Sequence, residues 1–205
     1  MKQQGWRRVV KGICDRVVAL CLLILVSPLW VWIVVWIRRD SPGPALYRQT
    51  RAGLAGKPFT IYKFRSMVQN ADAVTRERLA ALTDLTDFVF QEPDDPRITR
   101  SGRFLRRTSM DELPQLLNIV KGDLSLVGPR PEVAEIVEKY TPEQRRRLCV
   151  QQGVTGWAQV NGRSELTLSA TLRYDLEYVE RWSLLFDLRI LWRTVRVVWT
   201  GRGAY

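Results

Sequence analysis

Histidine is absent from the 205-residue chain, and its absence excludes several chemistries at once. Ser-His-Asp and Cys-His nucleophile systems, His-ligated zinc and imidazole acid–base catalysis all need a ring nitrogen that no other side chain supplies. Chemistry here must run on carboxylates, Lys, Arg, Tyr or a hard metal ion. Cysteine is scarce too. Cys14, Cys21 and Cys149 are odd in number and match no ligand spacing, so they neither staple the fold nor bind zinc, and a reducing compartment fits. Internal repeats and low-complexity linkers are also missing, and a hydrophobic content of 46% marks a globular chain of one-domain length.

Acidic residues are nearly missing from the first third. Residues 1–65 carry twelve Lys and Arg against only Asp15 and Asp40, a net +10, whereas the remaining 140 residues sum to +1. A pI near 10.1 suggests a nucleic-acid binder, but such a module would concentrate its bases outside any apolar element. Here they bracket one.

That element is the uncharged run Val17 to Ile37, whose 21 residues would make a helix about 31 Å long, the thickness of a bilayer's hydrocarbon core. It is long for a signal-peptide core and is followed by Arg38-Arg39 rather than a small-residue cleavage site, so it is expected to stay in the mature protein. Ser27-Pro28 sits at its centre. Proline there removes a backbone hydrogen bond and crowds the carbonyl of Ile24, while the Ser27 hydroxyl can bond a freed carbonyl nearby. A kinked spanning anchor is one outcome. The charges favour another, because Arg7, Arg8, Lys11 and Arg16 precede the run and Arg38, Arg39, Arg48 and Arg51 follow it. A span would put one basic cluster on the wrong side. A re-entrant hairpin bending at Ser27-Pro28 keeps both at the cytoplasmic headgroups, at about 1 kcal/mol per basic residue.

Tryptophan clusters at both ends: Trp6, Trp30, Trp32 and Trp36 lie in or beside the apolar run, and Trp182, Trp192 and Trp199 lie near the C-terminus, with Trp157 apart. Between Leu184 and Trp199, Leu184, Leu188, Leu191, Val195 and Val198 share one helical face and Arg189, Arg193 and Arg196 the other. The pattern suits a helix in the membrane interface, or an ordinary amphipathic helix packed on a core. Between the two apolar ends the chain reads as short helices, turns and a small hairpin. Pro58 to Phe64 alternates as a strand, and Asp72 to Leu82 reads as a helix. Gln91 to Pro96 reads as a polar turn. Glu132 to Tyr140 reads as a short helix with Val133, Ile136, Val137 and Tyr140 on one face, and Thr141-Pro142-Glu143-Gln144 as the N-cap of another.

The stretch Arg97 to Pro131 carries the chemistry. Arg97, Arg100, Arg103, Arg106 and Arg107 lead into Ser109-Met110-Asp111-Glu112-Leu113-Pro114. Guanidinium forks beside adjacent carboxylates are what a phosphate-plus-Mg²⁺ site requires. Ser109 through Glu112 equally spells a helix capping box, and a capped helix N-terminus is itself a phosphate site.

Together with other blocks, these residues resemble a known family. The Ser27-Pro28 break, Lys63-Phe64-Arg65-Ser66-Met67, Asp111 to Asn118 (Asp-Glu-Leu-Pro-Gln-Leu-Leu-Asn), Lys121 to Pro131 (Lys-Gly-Asp-Leu-Ser-Leu-Val-Gly-Pro-Arg-Pro) and Gly153 to Arg163 resemble, in order, the blocks of bacterial sugar transferases known as monotopic phosphoglycosyl transferases. The likeness is to their minimal catalytic form, without extra N-terminal spans. It implies transfer of a phospho-sugar from a UDP-sugar to polyprenyl phosphate, usually undecaprenyl phosphate, with release of UMP. It further implies Asp111 as the nucleophile of a covalent aspartyl phospho-sugar intermediate, Glu112 as its partner, Mg²⁺ held by both, and Arg106 as a phosphate ligand. Lys63, Arg65 and Arg130 would line the anionic site, Thr155, Gln159 and Arg163 the nucleotide-sugar pocket, and Ser27 and Pro28 the re-entrant turn.

The expected architecture is α-rich α+β, one membrane-associated domain with a re-entrant hairpin, interfacial amphipathic helices and a small β element. Residues 1–40 would form the basic segment and hairpin, and 41–205 the catalytic region at the cytoplasmic face of a bacterial inner membrane. The expected partners are the donor, the acceptor and membrane lipids, with no nucleic acid; self-association stays open. The contrasting reading is a membrane-anchored nucleic-acid-binding or adaptor protein without catalysis.

Overall fold

A computed structural model of the chain describes residues 3, 5–69, 71 and 95–200. The helix expected at Asp72 to Leu82, and Gln91 to Asp94 of the expected polar turn, lie outside the described residues.

The apolar run forms part of one helix, α1 (Trp6–Asp40), which contains Pro28. By length and composition it could cross a membrane: its most apolar stretch has a mean hydropathy of 2.7, and only 11% of that stretch is buried. Ser27 Oγ donates to the Ile24 carbonyl at 2.8 Å, and that is the carbonyl a residue at position 28 would bond if it were not proline. Helical structure therefore continues through the break, so the two expected limbs belong to one helix rather than to two helices joined by a loop.

One face of α1 is covered along its whole length. Lys11, Asp15, Ala19, Ile33 and Ile37 are buried, with Leu23, Val26 and Trp30 partly buried between them, so contacts recur every three or four residues on both sides of Pro28. The rest of the helix exposes Val9, Ile13, Val17, Ile24, Leu25, Val31 and Trp32. Polar bonds fasten both ends. Lys11 Nζ donates to Asp187 Oδ2 at 2.6 Å, and Asp15 accepts from Ser125 Oγ at 2.6 Å. At the other end Asp40 accepts from the Ser101 amide at 2.7 Å, and Arg65 Nη2 donates to the Ser41 carbonyl at 2.8 Å.

The expected strand is β2 (Pro58–Phe64), paired antiparallel with β1 (Leu46–Ala52) from Leu46↔Phe64 to Ala52↔Pro58. A two-stranded ribbon leaves edges. On β2 the side chain of Asn118 acts as a further partner, accepting from the Tyr62 amide at 3.1 Å and donating to the Thr60 carbonyl at 2.6 Å. Helix α2 (Arg100–Arg107), capped by Thr99, packs so closely on the end of β2 that a Cβ on Gly102 would collide with the Ser66 carbonyl. After α3 (Gln115–Lys121), β3 (Ser125–Val127) runs parallel to β4 (Gly153–Thr155). Gly128 and Gly153 touch backbone to backbone, leaving no room for a Cβ on either.

The helix expected over Glu132 to Tyr140 is shorter, α4 (Ala134–Glu138), but its predicted face holds: Ile136, Val137 and Tyr140 are buried, with Val133 against them, in a cluster with Leu148, Leu168 and Leu172. The N-cap at Thr141 also forms. Thr141 Oγ1 accepts from the Gln144 amide while Gln144 Oε1 accepts from the Thr141 amide, a reciprocal capping box, although the segment it caps is a 3-10 turn, Gln144–Cys149, rather than an α-helix.

Two C-terminal helices, α5 (Leu168–Arg181) and α6 (Leu184–Thr200), complete the described chain. On α6 the predicted apolar face is divided. Phe186 and Ile190 are buried and Leu191 packs against the same cluster, whereas Leu185, Leu188, Trp192, Val195 and Trp199 form an outward stripe, Trp199 being 90% exposed. Trp182 is no interfacial residue: it is buried in the core, and its Nε1 donates to Asp187 at 3.2 Å. Arg193 is drawn in as well, its guanidinium 4.9 Å from the centre of the Trp157 ring. Cys14, Cys21 and Cys149 are free and exposed.

Candidate active site

Asp111 and Glu112 lie in a 3-10 turn, Met110–Glu112, between α2 and α3. Ser109 enters it in the left-handed region, at φ 58, and makes no side-chain cap. The capping box that this stretch spells is therefore not built. Ser109 Oγ instead accepts from Arg163 Nη2 at 2.8 Å, and Glu112 turns to Arg130, whose Nη2 donates to Oε1 at 2.6 Å. The same four-residue pattern caps a turn at Thr141 and serves a charge cluster at Ser109, because the backbone at Ser109 points its side chain away from the next amides in the chain.

Four elements bring cations to the turn. Lys63, near the end of β2, lies 3.8 Å from Glu112 Oε1. Arg106 comes from the last turn of α2, Arg130 from the loop after β3, and Arg163 from the segment after β4. The backbone contact of Gly128 with Gly153 holds the last two segments together.

Electrostatics separates the two carboxyls. Asp111 is buried, and burial, followed by the neighbouring Glu112, pushes it up to about 6 despite Lys63, Arg106 and Arg130. Glu112 is partly buried, but although desolvation is the largest single influence on it, Arg130 and Lys63 together outweigh that influence and hold it down at about 2. Lys63 falls to about 8, chiefly through burial and next through Arg130. Four cations thus surround two carboxylates, an excess of two positive charges in a place largely shut off from water. No hydrogen bond from a described residue reaches the Asp111 carboxylate, and Arg163 Nη1 is buried without a partner among the described residues. The arrangement can grip a dianionic group and present a carboxylate oxygen to it.

The other expected site residues are not among the groups that set the titration of Asp111 and Glu112. Arg65 belongs to the end of α1, where it binds Ser41. The Thr155 hydroxyl pairs with Thr194 of α6 at 2.7 Å. Gln159 has both amide atoms buried without partners among the described residues. Ser27 and Pro28 lie within α1. One group escaped sequence reasoning: fully buried Arg147 donates to Asp175 Oδ2 at 2.9 and 2.6 Å, to Tyr140 Oη at 2.9 Å and to the Arg130 carbonyl at 2.7 Å. In sequence it looks like the end of a solvated run, Arg145-Arg146-Arg147.

Among the described residues no three Asp, Glu or Cys side chains gather as a metal site. Mg²⁺ does not require that, since it is commonly held by one or two carboxylates together with substrate phosphates and water. Asp111 and the free oxygen of Glu112 fit such a donor set.

The sequence model of the family described as "Bacterial sugar transferase" matches residues 6–201. The chain is 43% identical over 201 residues to the "Undecaprenyl-phosphate galactose phosphotransferase" of Salmonella typhimurium, which covers 97% of this chain and 42% of that protein. It is 41% identical over 195 residues to the "Uncharacterized sugar transferase EpsL" of Bacillus subtilis, covering 95% and 90%. To the "UDP-glucose:undecaprenyl-phosphate glucose-1-phosphate transferase" of Escherichia coli it is 39% identical over 211 residues, covering 98% and 42%. The chain thus spans less than half of the Salmonella and Escherichia relatives and nearly all of the Bacillus one.

Proposed function

The chain belongs to the bacterial sugar transferase family, and on that premise we propose that it transfers a sugar phosphate from a UDP-sugar to undecaprenyl phosphate, releasing UMP. The observation that carries the reading is Asp111, a buried carboxylate without a described hydrogen-bond donor, set among Lys63, Arg106, Arg130 and Arg163. A surplus of two cations suits a diphosphate. An Asp111 oxygen attacks the phosphorus that bears the sugar, and as that O–P bond forms, the bond to the bridging oxygen breaks and UMP leaves with it. A phosphate oxygen of the carrier lipid then attacks the same phosphorus and frees Asp111. The two steps replace one displacement between bulky anions.

Glu112, kept ionised by Arg130 and Lys63, holds those cations in place between turnovers. Gln159 is assigned to the polar part of the nucleotide sugar, and Arg106, Arg130 and Arg163 to the phosphates. Mg²⁺, held by Asp111 and Glu112, would supply charge neutralisation of the diphosphate.

UMP release from a panel of UDP-sugars, with Mg²⁺ and undecaprenyl phosphate, tests the reaction; no release from any donor rejects it. Asp111 also sets the pH dependence. The attacking species is the carboxylate, which burial and Glu112 raise to about 6 in the metal-free site, so at limiting Mg²⁺ kcat/KM should fall tenfold per pH unit below about 6, and rising Mg²⁺ should move that fall to lower pH. A rate at limiting Mg²⁺ that holds down to the ordinary carboxylate range, near pH 4, would contradict the buried nucleophile.

We infer further that α1 enters the cytoplasmic leaflet of the inner membrane and returns, and that the α6 stripe lies in the interface. Both ends of α1 are fastened to the same polar body, through Asp187 and Ser125 at one end and Ser101 and Arg65 at the other. A straight crossing would part those ends by the hydrocarbon thickness. In a cysteine-free background, single cysteines at positions 8 and 48 should both resist an impermeant maleimide in intact cells and both react after lysis. Labelling of either one before lysis would restore a span.

A further inference from the structure

Under the first turns of α1 lies a cavity of about 490 Å³ that shares no lining residue with the Asp111 cluster. Arg8 and Arg16 line it, and neither pairs with a described acid. The acid in its wall, Asp15, is already engaged by Lys11 at 3.4 Å and Ser125 at 2.6 Å. Arg16 is steadied by the Gly12 carbonyl at 3.1 Å and lies over Gly122, where a Cβ would collide with its guanidinium.

Gln3 also lines the cavity and is 3% exposed. Its Oε1 accepts from the Gln151 amide at 3.0 Å, which orients the side chain, and its Nε2 has no hydrogen-bond partner among the described residues. A buried donor left unpaired is costly, so its presence points to an acceptor supplied from outside. The groups that converge here are donors: two guanidiniums and an amide N–H. Their match is a phosphate. The same turns of α1 expose Trp6, Val9 and Ile13 at 68%, 61% and 55%, so a polar cavity and an apolar outer face meet at one level. That is the profile of a headgroup with its acyl chains alongside.

We propose that this cavity binds the phosphate headgroup of an anionic membrane lipid, fixing the depth of α1. The inference rests on the membrane reading above. The full chain would be sedimented with phosphatidylcholine vesicles, with and without phosphatidylglycerol, and the preference for the anionic vesicles measured. Arg38→Gln/Arg39→Gln, which removes equal charge outside the cavity, should lower that preference by up to about 30-fold through the general surface attraction, and Arg8→Gln/Arg16→Gln should lower it roughly ten-fold further. Gln3→Leu changes no charge and should lower it about three-fold. Equal losses from the two arginine pairs, or an unchanged preference in Gln3→Leu, would overturn the proposal. Inorganic phosphate at matched ionic strength should not compete; abolition of the preference by it would assign the cavity to a soluble phosphate. Failure to bind vesicles of either composition would remove the membrane reading itself, whereas binding without lipid preference removes only the headgroup site.

Discussion

Replacement of Asp111 by Asn is expected to cut UMP release by on the order of 10⁴-fold or more, the scale seen when a covalent nucleophile is lost, while leaving the protein folded. The amide keeps the shape of the side chain but offers no anionic oxygen to phosphorus. Stability should hold or rise, because Asp111 is a carboxyl that burial and Glu112 already push towards its neutral form. Three measurements decide the matter together: UMP release, thermal unfolding, and the mass of the protein after exposure to UDP-sugar without acceptor. The parent should gain the mass of one sugar phosphate and Asp111→Asn none. A variant that retains a rate within ten-fold of the parent would remove Asp111 as the nucleophile. Absence of UMP release from the parent as well would instead revive the contrasting reading of a membrane adaptor without catalysis.

The second large effect lies behind the site. Arg147→Met should destabilise the fold by about 3–5 kcal/mol, because it leaves Asp175 buried without its cation. Asp175 is only 1% exposed, and the same substitution also strips a donor from Tyr140 and from the Arg130 carbonyl. In a chain of this size that corresponds to a fall in Tm of order 10 °C. Arg147→Met/Asp175→Leu should recover most of the loss, since removing both members of a buried pair leaves no uncompensated charge. Equilibrium unfolding of the two variants separates these outcomes, and a single variant as stable as the parent would show that the pair does not hold Asp175. Activity offers a further readout. Arg147 fixes the backbone of Arg130, so the double variant, though stable, should still bind donor less well than the parent.

Where a signal is periodic and local, the sequence was a good guide. Pro58 to Phe64 alternates as a strand and is one, since five of its seven residues are β-branched or aromatic and need only a partner strand. Val133, Ile136, Val137 and Tyr140 share a face and are jointly buried or partly so. The Ser27 hydroxyl serves the carbonyl that Pro28 leaves without a donor, because both atoms lie within one turn. Elsewhere local pattern was ambiguous. Two stretches spell a capping box, and only Thr141 makes it, since Ser109 lies in the left-handed region and its hydroxyl accepts from Arg163 instead. Helix α6 has apolar residues all round much of its surface, so periodicity left undecided which belonged to the core: Leu191 goes inward while Trp192 and Trp199 go outward.

Read as a string of residues, the chain already excludes imidazole chemistry, locates its surplus charge and declares its family. A missing histidine, +10 in the first 65 residues around an apolar run and an ordered set of motif blocks need no folding to be seen. Folding was needed to select the cations that share the carboxylates' environment. Of the arginines and lysines that the motifs contain, Lys63, Arg106, Arg130 and Arg163 reach Asp111 and Glu112, and Arg65 goes to Ser41 instead. Burial and Coulomb interaction depend on distance through space, which the order of residues does not encode directly. Residues 63, 106, 130 and 163 meet because glycines let backbones touch at Gly102 and Gly128, and no spacing along the chain records that contact.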